Sequence, residues 1–189
     1  RKSITSIAKS TIFSSDQIAG AMSEIASIGQ FDTPEQLQHL TNVAAKLATA
    51  TGADISFAGE LLARTMNAFS SSLEGARSST GKLLTEQEKV VAVSNILARA
   101  ANDSALSMAQ LGDAMQYVSP LAVAAGISLE ESVSMVAALS NMGFNASRAG
   151  TAVAQALEAL TAPSAGAAKA MASIDFTAFD EQGNMKEMG

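Results

Sequence analysis

The chain has 189 residues, a formal net charge of −6 and no cysteine, which excludes a disulfide framework, a thiolate metal site and a cysteine nucleophile. Hydrophobic residues make up 48% of the sequence and aromatic residues only 4%, a composition that favours tightly packed helices over sheets. No Lys or Arg lies between Arg99 and Arg148, and no stretch is apolar enough to span a bilayer. We therefore expect neither static nucleic-acid binding nor attachment to an anionic membrane surface, since both need clustered cations.

Residues 1–30 predict an N-terminal helical segment with no recognisable motif. A short amphipathic helix is expected over residues 2–12. Its inward side chains are predicted to be Ile4, Ile7 and Ile12. Ser14 and Gln17 have the spacing of a capping box, in which each side chain accepts a hydrogen bond from the backbone N–H of the other residue. A second helix is thus predicted to end near Ile28.

Residues 31–172 predict a helical core region of stacked hairpins or an irregular bundle. Caps are expected to open successive helices at Thr33, Ser56, Thr85, Ser107 and Ser128. The side chains predicted to face inward before residue 120 are Leu37, Leu40, Val43, Ala44, Leu47, Leu62, Met66, Phe69, Leu73, Val90, Val93, Leu97, Leu111, Met115 and Val118. The Gly/Ser-rich stretch 75–82 is interpreted as a flexible surface loop. Pro120 is expected to kink or interrupt its helix because it removes a backbone donor.

The stretch 126–163 predicts two short helices joined by a glycine turn. Ser128 and Glu131 form a capping box that starts the first helix after Gly126. Gly143 is expected to end it, because a residue without Cβ enters the left-handed conformation at little cost. Pro163 closes the second helix. The apolar stripe of the pair consists of Leu129, Val133, Val136, Leu139, Val153, Ala156, Leu157 and Leu160.

Small residues line a second stripe on the last helix of this pair. They are Ala149, Gly150, Thr151, Ala152, Ala156 and Ala159. Small side chains allow helices to approach closely, so one side of the helix is expected to pack within the chain. The other side could serve self-association into a homo-oligomer, and the sequence leaves this open.

Residues 173–189 predict the start of a truncated β-hairpin. Apolar residues alternate at Ile174, Phe176 and, less regularly, Phe179. Gly183 and Asn184 follow as a turn. The full prediction of fold class is an all-α protein with a short β-like segment at its C-terminal end.

The titratable residues predict no catalytic, cofactor or metal site. His39 lies off the apolar stripe with no nucleophile beside it, so a surface position is favoured. Paired acids such as Glu86 with Glu88 stand in first helical turns, where the helix dipole favours negative charge. The acidic run 180–184 lacks the register of a calcium loop. The nine Met residues are interpreted as core gap-fillers, with an adaptable partner groove as the alternative.

The order of these turns and caps resembles the core region of bacteriophage tail tape measure proteins. The resemblance rests on Gly126-Ile127-Ser128, Met142-Gly143 and Ala149-Gly150-Thr151 as a helix start, followed by Asp180, Gly183, Asn184 and Lys186. It implies a structural protein that occupies the lumen of the tail tube in the virion, governs tail length and assembly in the host cytoplasm, and is released during genome ejection. It also implies the tail tube protein and tail assembly chaperones as partners, and no cofactor.

Two other classes stay open from the sequence. The first is a cytoplasmic helical scaffold or adaptor that binds a partner helix. The second is an enzyme such as a peptidoglycan hydrolase, which is disfavoured because the stretch lacks the Glu/aromatic or His/Cys constellation that such chemistry needs.

Overall fold

The computed structural model describes residues 2–28, 31–174 and 177–178. The helices, in chain order, are α1 (Lys2–Ser10), α2 (Ser15–Ile28), α3 (Pro34–Thr51), α4 (Ile55–Ala68), α5 (Ser70–Glu74), α6 (Glu86–Asp103), α7 (Met108–Ala124), α8 (Leu129–Asn141), α9 (Ala146–Thr161) and α10 (Ala165–Ser173). The described residues contain no strand, and the all-α prediction is confirmed. None of the helices in the described ranges is long and apolar enough to cross a membrane.

The predicted β-like segment lies almost wholly outside the described residues. Phe176 and Phe179 fall in the undescribed part, as do Gly183 and Asn184. Ile174, where the alternation was expected to begin, is the C-cap of α10 and is exposed. The hairpin itself therefore stays a prediction.

The helices share one hydrophobic core that runs from α1 to α9. In the N-terminal half, α2, α3 and α4 pack against one another; in the C-terminal half, α9 packs most extensively on α7, and α8 contacts α6, α7 and α9. Contacts of α3 and α4 with α6, and of α4 with α7, join the halves. Side chains with almost no exposure include Ile18, Ile25, Leu62, Leu97, Leu111, Val118, Val136 and Leu157.

Five of the ten helix starts in the described residues are fixed by the predicted capping boxes. At α3, the Gln36 N–H donates to Thr33 Oγ1 over 3.3 Å, and the Thr33 N–H donates to Gln36 Oε1 over 3.3 Å. The same reciprocal pair opens the helices that follow Ser14, Thr85, Ser107 and Ser128. These residues satisfy backbone donors that a helix leaves unpaired in its first turn.

The start of α4 differs from the prediction. Ser56 is the second residue of the helix, and the cap is Asp54, whose Oδ1 accepts from the N–H groups of Ser56 (2.8 Å) and Phe57 (3.2 Å). Asp and Ser are both strong N-cap residues, so the sequence offered two candidates two positions apart. The inward position of Ile12 is also wrong: α1 ends at Ser10, and Ile12 is 76% exposed.

Of the two expectations at Pro120, the interruption does not occur, and the kink stays a prediction. The helix α7 continues through Pro120 to Ala124. Val118 and Ala122, on either side of the proline, are both fully buried. Their packing offsets the backbone hydrogen bond that proline removes, which is how tertiary contacts override a local preference.

The stretch 75–82 is a surface loop, as predicted, but it has internal hydrogen bonds. The Ser78 N–H donates to the Lys82 carbonyl over 2.8 Å, and the Leu84 N–H donates to the Ala76 carbonyl over 2.9 Å. An isolated antiparallel bridge joins Arg77 to Leu83. The loop is thus a short closed turn between α5 and α6, and its flexibility stays a prediction.

Candidate functional site

The unit that follows α7 begins with a left-handed glycine and a capping box. Gly126 has φ +70°, and the next N–H, of Ile127, donates to the Ala122 carbonyl over 2.8 Å. Ser128 Oγ then accepts from the Glu131 N–H over 3.2 Å, while Glu131 Oε2 accepts from the Ser128 N–H over 3.0 Å. These bonds set the point at which the chain leaves α7 and α8 starts, as the sequence predicted.

The turn between α8 and α9 depends on Gly143. Its φ of +96° is unfavourable for a residue with a Cβ. This geometry lets the Phe144 N–H donate back to the Leu139 carbonyl over 3.1 Å. Asn145 then caps α9, with its Oδ1 accepting from the Arg148 N–H over 2.9 Å. This cap was not predicted, although Asn directly before an apolar periodic run is a recognised start signal.

The predicted helix start at Ala149-Gly150-Thr151 is wrong, because α9 already begins at Ala146. Gly150 instead lies where α9 crosses α7. An added Cβ there would stand 2.8 Å from both the Cα and the carbonyl oxygen of Ala114, and 3.1 Å from its Cβ. The absence of a side chain at position 150 therefore sets the distance between these two helices.

Glycine also lies at two other contacts between helices, that of α2 with α4 and that of α4 with α7. A Cβ on Gly59 of α4 would collide with the Ile25 side chain of α2. A Cβ on Gly112 of α7 would stand 2.8 Å from Phe57 Cζ of α4. The helices α2, α4, α7 and α9 are thus each joined to the next through a glycine, but only Gly150 faces backbone atoms.

The outward side of α9 carries the other small residues of its stripe. Ala156 and Ala159 are exposed and Ala152 is half-buried, whereas Ala149 is fully buried. The prediction that Ala156 faces the core is wrong, because Val153 and Leu157 occupy the inward face of this turn. Helix α10 has no buried residue among the described ones. An exposed surface of small residues therefore runs along α9 into α10.

The turn between α8 and α9 also exposes two large apolar side chains. Met142 is 75% exposed and Phe144 is 41% exposed. They flank Gly143, so the turn conformation holds both at the surface. Among the other methionines, Met108 and Met115 are buried in the core, as the gap-filler interpretation expected.

His39 and Glu88 have hydrogen-bond partners within the fold. His39 Nε2 lies 3.1 Å from the carbonyl oxygen of Gln87, which can only accept, so the ring donates and links α3 to α6. The carboxylate of Glu88 accepts from the backbone N–H and the hydroxyl of Thr85, and these bonds hold the pKa of Glu88 below its usual value. Within the described ranges, no group of three or more His, Asp or Glu residues could hold a metal ion.

The remaining residues of the proposed motif fall at the C-terminal side. Pro163 stands, half-buried, between the end of α9 at Thr161 and the start of α10. Gly183 and Asn184 lie outside the described residues. The interpretation of all these positions as a shared family pattern stays a prediction.

Comparison with known proteins gives consistent matches over the chain. A family of phage-related minor tail proteins matches residues 1–189. The chain is 29% identical over 175 residues to a protein named tape measure protein from Pneumococcus phage Dp-1, covering 93% of this chain and 14% of that protein. It is also 29% identical over 186 residues to a probable tape measure protein from Escherichia phage P2, covering 98% of this chain and 21% of that protein. No solved structure matches. The chain thus spans about a seventh and a fifth of the length of these two relatives.

Proposed function

The chain belongs to the phage-related minor tail protein family, and from this premise we propose that it is a segment of a tape measure protein that lies in the lumen of the tail tube. Its role as a structural component of a phage tail, and not as an enzyme, follows from the family and from relatives named as tape measure proteins. The same membership favours the tail over the alternative of a cytoplasmic scaffold or adaptor. The match over the whole chain is the observation that carries the proposal.

The proposed role of this segment is in assembly, plugging and release. The two relatives are several times longer than the chain, so setting tail length is a property of the whole tape measure protein. A compact helical segment would be held in the tube until genome ejection and would then leave with the DNA. During assembly in the host cytoplasm, its partners would be the tail tube protein and tail assembly chaperones.

The packing of the helices supports a segment that can be unpacked. Each contact in the series α2, α4, α7 and α9 includes a glycine, and the chain has no disulfide because it has no cysteine. The two ion pairs of the described residues, Arg64–Glu60 and Lys89–Glu86, each join neighbours on one helix and do not cross between helices. Separating the helices therefore breaks apolar contacts and isolated hydrogen bonds, such as that from His39 to the Gln87 carbonyl, but no ion pair among these residues.

Self-association is proposed through the outward side of α9 and α10. Ala156 and Ala159 are exposed, as is every residue of α10 except the half-buried Met171, and small residues let a second helix approach closely. A nine-residue helix is too short to be stable in water without packing, which is a reason to expect a partner surface there. Ala156→Glu with Ala159→Glu should return an oligomer to monomer in sedimentation velocity, whereas Glu158→Gln, at an exposed position of α9 away from that stripe, should not.

Mass spectrometry of purified virions tests the location. Peptides from residues 85–163 should be present in full particles and absent from particles that have ejected their DNA in response to a trigger. Their absence from full particles would refute the tail-lumen proposal. Retention in emptied particles would place the segment in the permanent tail structure and refute release.

A further inference from the structure

A cleft opens where α3, the α4–α5 junction and α6 meet. Its volume is about 310 Å³, and its position is distinct from the α8–α9 turn and from the outward side of α9. The apolar side chains that line it are Phe31, Leu40, Ala63, Met66, Leu73 and Val90. Leu40, Ala63 and Val90 are buried, whereas Phe31, Met66 and Leu73 are only half-buried and so remain accessible from the cleft. The volume matches the lower end of the range for binding pockets, about 300 Å³.

The charge that the cleft offers to a partner is negative. Asp32 and Glu74 line it and are exposed, and neither forms an ion pair within the described part of the chain. Lys89 also lines the cleft, but its Nζ is 2.6 Å from Glu86 Oε1 and its side chain is 91% buried, since only 9% is exposed. Lys89 is therefore already neutralised, and Asp32 and Glu74 have no cationic partner among the residues that the structure describes.

Two uncharged polar side chains that line the cleft, His39 and Gln36, are also engaged within the protein. His39 donates to the Gln87 carbonyl, and Gln36 Oε1 accepts from the backbone N–H groups of Asp32 and Thr33. The carboxylate of Asp32 takes no part in that cap, since only its backbone does. The carboxylate of Asp32 can therefore form an ion pair with a partner while the hydrogen bonds that cap α3 stay in place.

We propose that this cleft binds a partner protein segment that inserts an apolar side chain and places Lys or Arg against Asp32 and Glu74. The half-buried floor would receive the apolar group, as in the docking of an amphipathic helix into a groove. The two carboxylates would select the sign of the flanking charges and thereby the register of the segment. The proposal concerns a different surface from self-association and does not depend on the location of the segment in the tail.

Binding of defined peptides by the full chain tests the proposal. The probe is a short fluorescein-labelled amphipathic peptide of Leu and Lys, and its counterpart replaces every Lys by Glu. The Lys peptide should bind at one site, with affinity that falls as salt screens the carboxylates, and the Glu peptide should not bind. Equal binding of the two peptides would refute the role of charge.

Two variants locate the binding site. Asp32→Asn with Glu74→Gln should weaken binding about three- to tenfold, as expected for two partly exposed charge pairs. Ser70→Trp, at the exposed edge of the cleft, should obstruct it and abolish binding without any change of charge. Neither variant alters a buried residue, and unchanged circular dichroism would verify the fold.

A matched pair of charge changes away from the cleft supplies the control. Glu24→Gln with Glu158→Gln removes the same two charges from exposed positions on α2 and α9. If this pair weakened binding as much as the cleft pair, the peptide would be attracted to the acidic chain in general and the proposal would be wrong. If Ser70→Trp instead converted a dimer to a monomer in sedimentation velocity, the occupant would be a second copy, which also overturns it.

Discussion

Replacing Gly150 with Ala should destabilise the protein, because the added methyl group would meet backbone atoms that cannot rotate away. The new Cβ would stand 2.8 Å from Ala114 Cα and from its carbonyl oxygen. Carbon atoms in contact normally lie about 3.5–4.0 Å apart. The helices α7 and α9 must therefore separate by about 1 Å, since neither backbone can yield locally.

The decrease in unfolding free energy caused by Gly150→Ala can be estimated from the contacts between α7 and α9 that such a gap weakens. A gap of about 0.5–1 Å forfeits about a quarter to a half of the dispersion energy. Val153 and Leu157 lie on the same buried face of α9, and each contributes about 1.5–3 kcal/mol by its burial. The loss is thus about 1–3 kcal/mol. Alanine offsets part of it, because it favours the helix over glycine by about 1 kcal/mol.

Gly20→Ala is the control that isolates the steric term. Gly20 is an exposed residue within α2, and, apart from its chain neighbours and the backbone of its own helix, no atom lies within 4 Å of the position that its Cβ would occupy. The gain in helix propensity is common to both variants and cancels in their difference. The unfolding free energies of the two variants, measured by urea titration, should differ by about 2 kcal/mol, or about 4–8 °C in Tm. Equal stability of Gly150→Ala and Gly20→Ala would refute the close approach of α9 to α7.

Other substitutions test the cap, the core, the surface and the acid response. Ser128→Ala should cost about 1 kcal/mol in urea unfolding, because it removes the cap of α8; Ser128→Thr should restore most of it. Leu157→Ala should cost about 2–5 kcal/mol through the cavity that it leaves, whereas Met142→Ser, at an exposed site, should stay within about 0.5 kcal/mol. Because the pKa of Glu88 is lowered by its bonds to Thr85, its contribution to stability is complete above pH 4.5 and is lost as the pH falls through the lowered folded-state pKa. Glu88→Gln should therefore reduce the fall in urea midpoint on acidification, and an identical acid response would contradict this.

The sequence predicted the starts of α2, α3, α6, α7 and α8 because each is encoded by two residues three positions apart. Ser128 with Glu131 and Thr33 with Gln36 form the expected reciprocal bonds. Asp54 was missed because a serine two positions later is an equally good cap by residue type, and the choice between them depends on backbone conformation. Local signals thus identified the elements but did not always fix their first residue.

The contacts between helices were beyond the reach of the sequence. The sequence predicted that Gly150 marks a helix start. In the structure it lets α9 approach the backbone of Ala114, which is 36 positions earlier (150 minus 114). Pro120 looked like a helix breaker, and the burial of Val118 and Ala122 decides otherwise. The cleft beside Asp32 and Glu74 also joins residues from separate helices. Such features depend on which helices pack against each other, and the periodicity of apolar residues along one helix does not predict its partner.

The capping boxes have a kinetic consequence. Each brings together groups only three residues apart in the chain, so it can form on the time scale of helix growth, about 0.1–1 μs, without any tertiary contact. A chain that has been pulled straight therefore regains the boundaries of its capped helices first, and only the search for helix partners remains. The chain can be extended and can refold repeatedly, because both residues of each capping box lie at the start of the helix that they cap. Ser128 and Glu131 are an example, since they remain three residues apart in the extended chain.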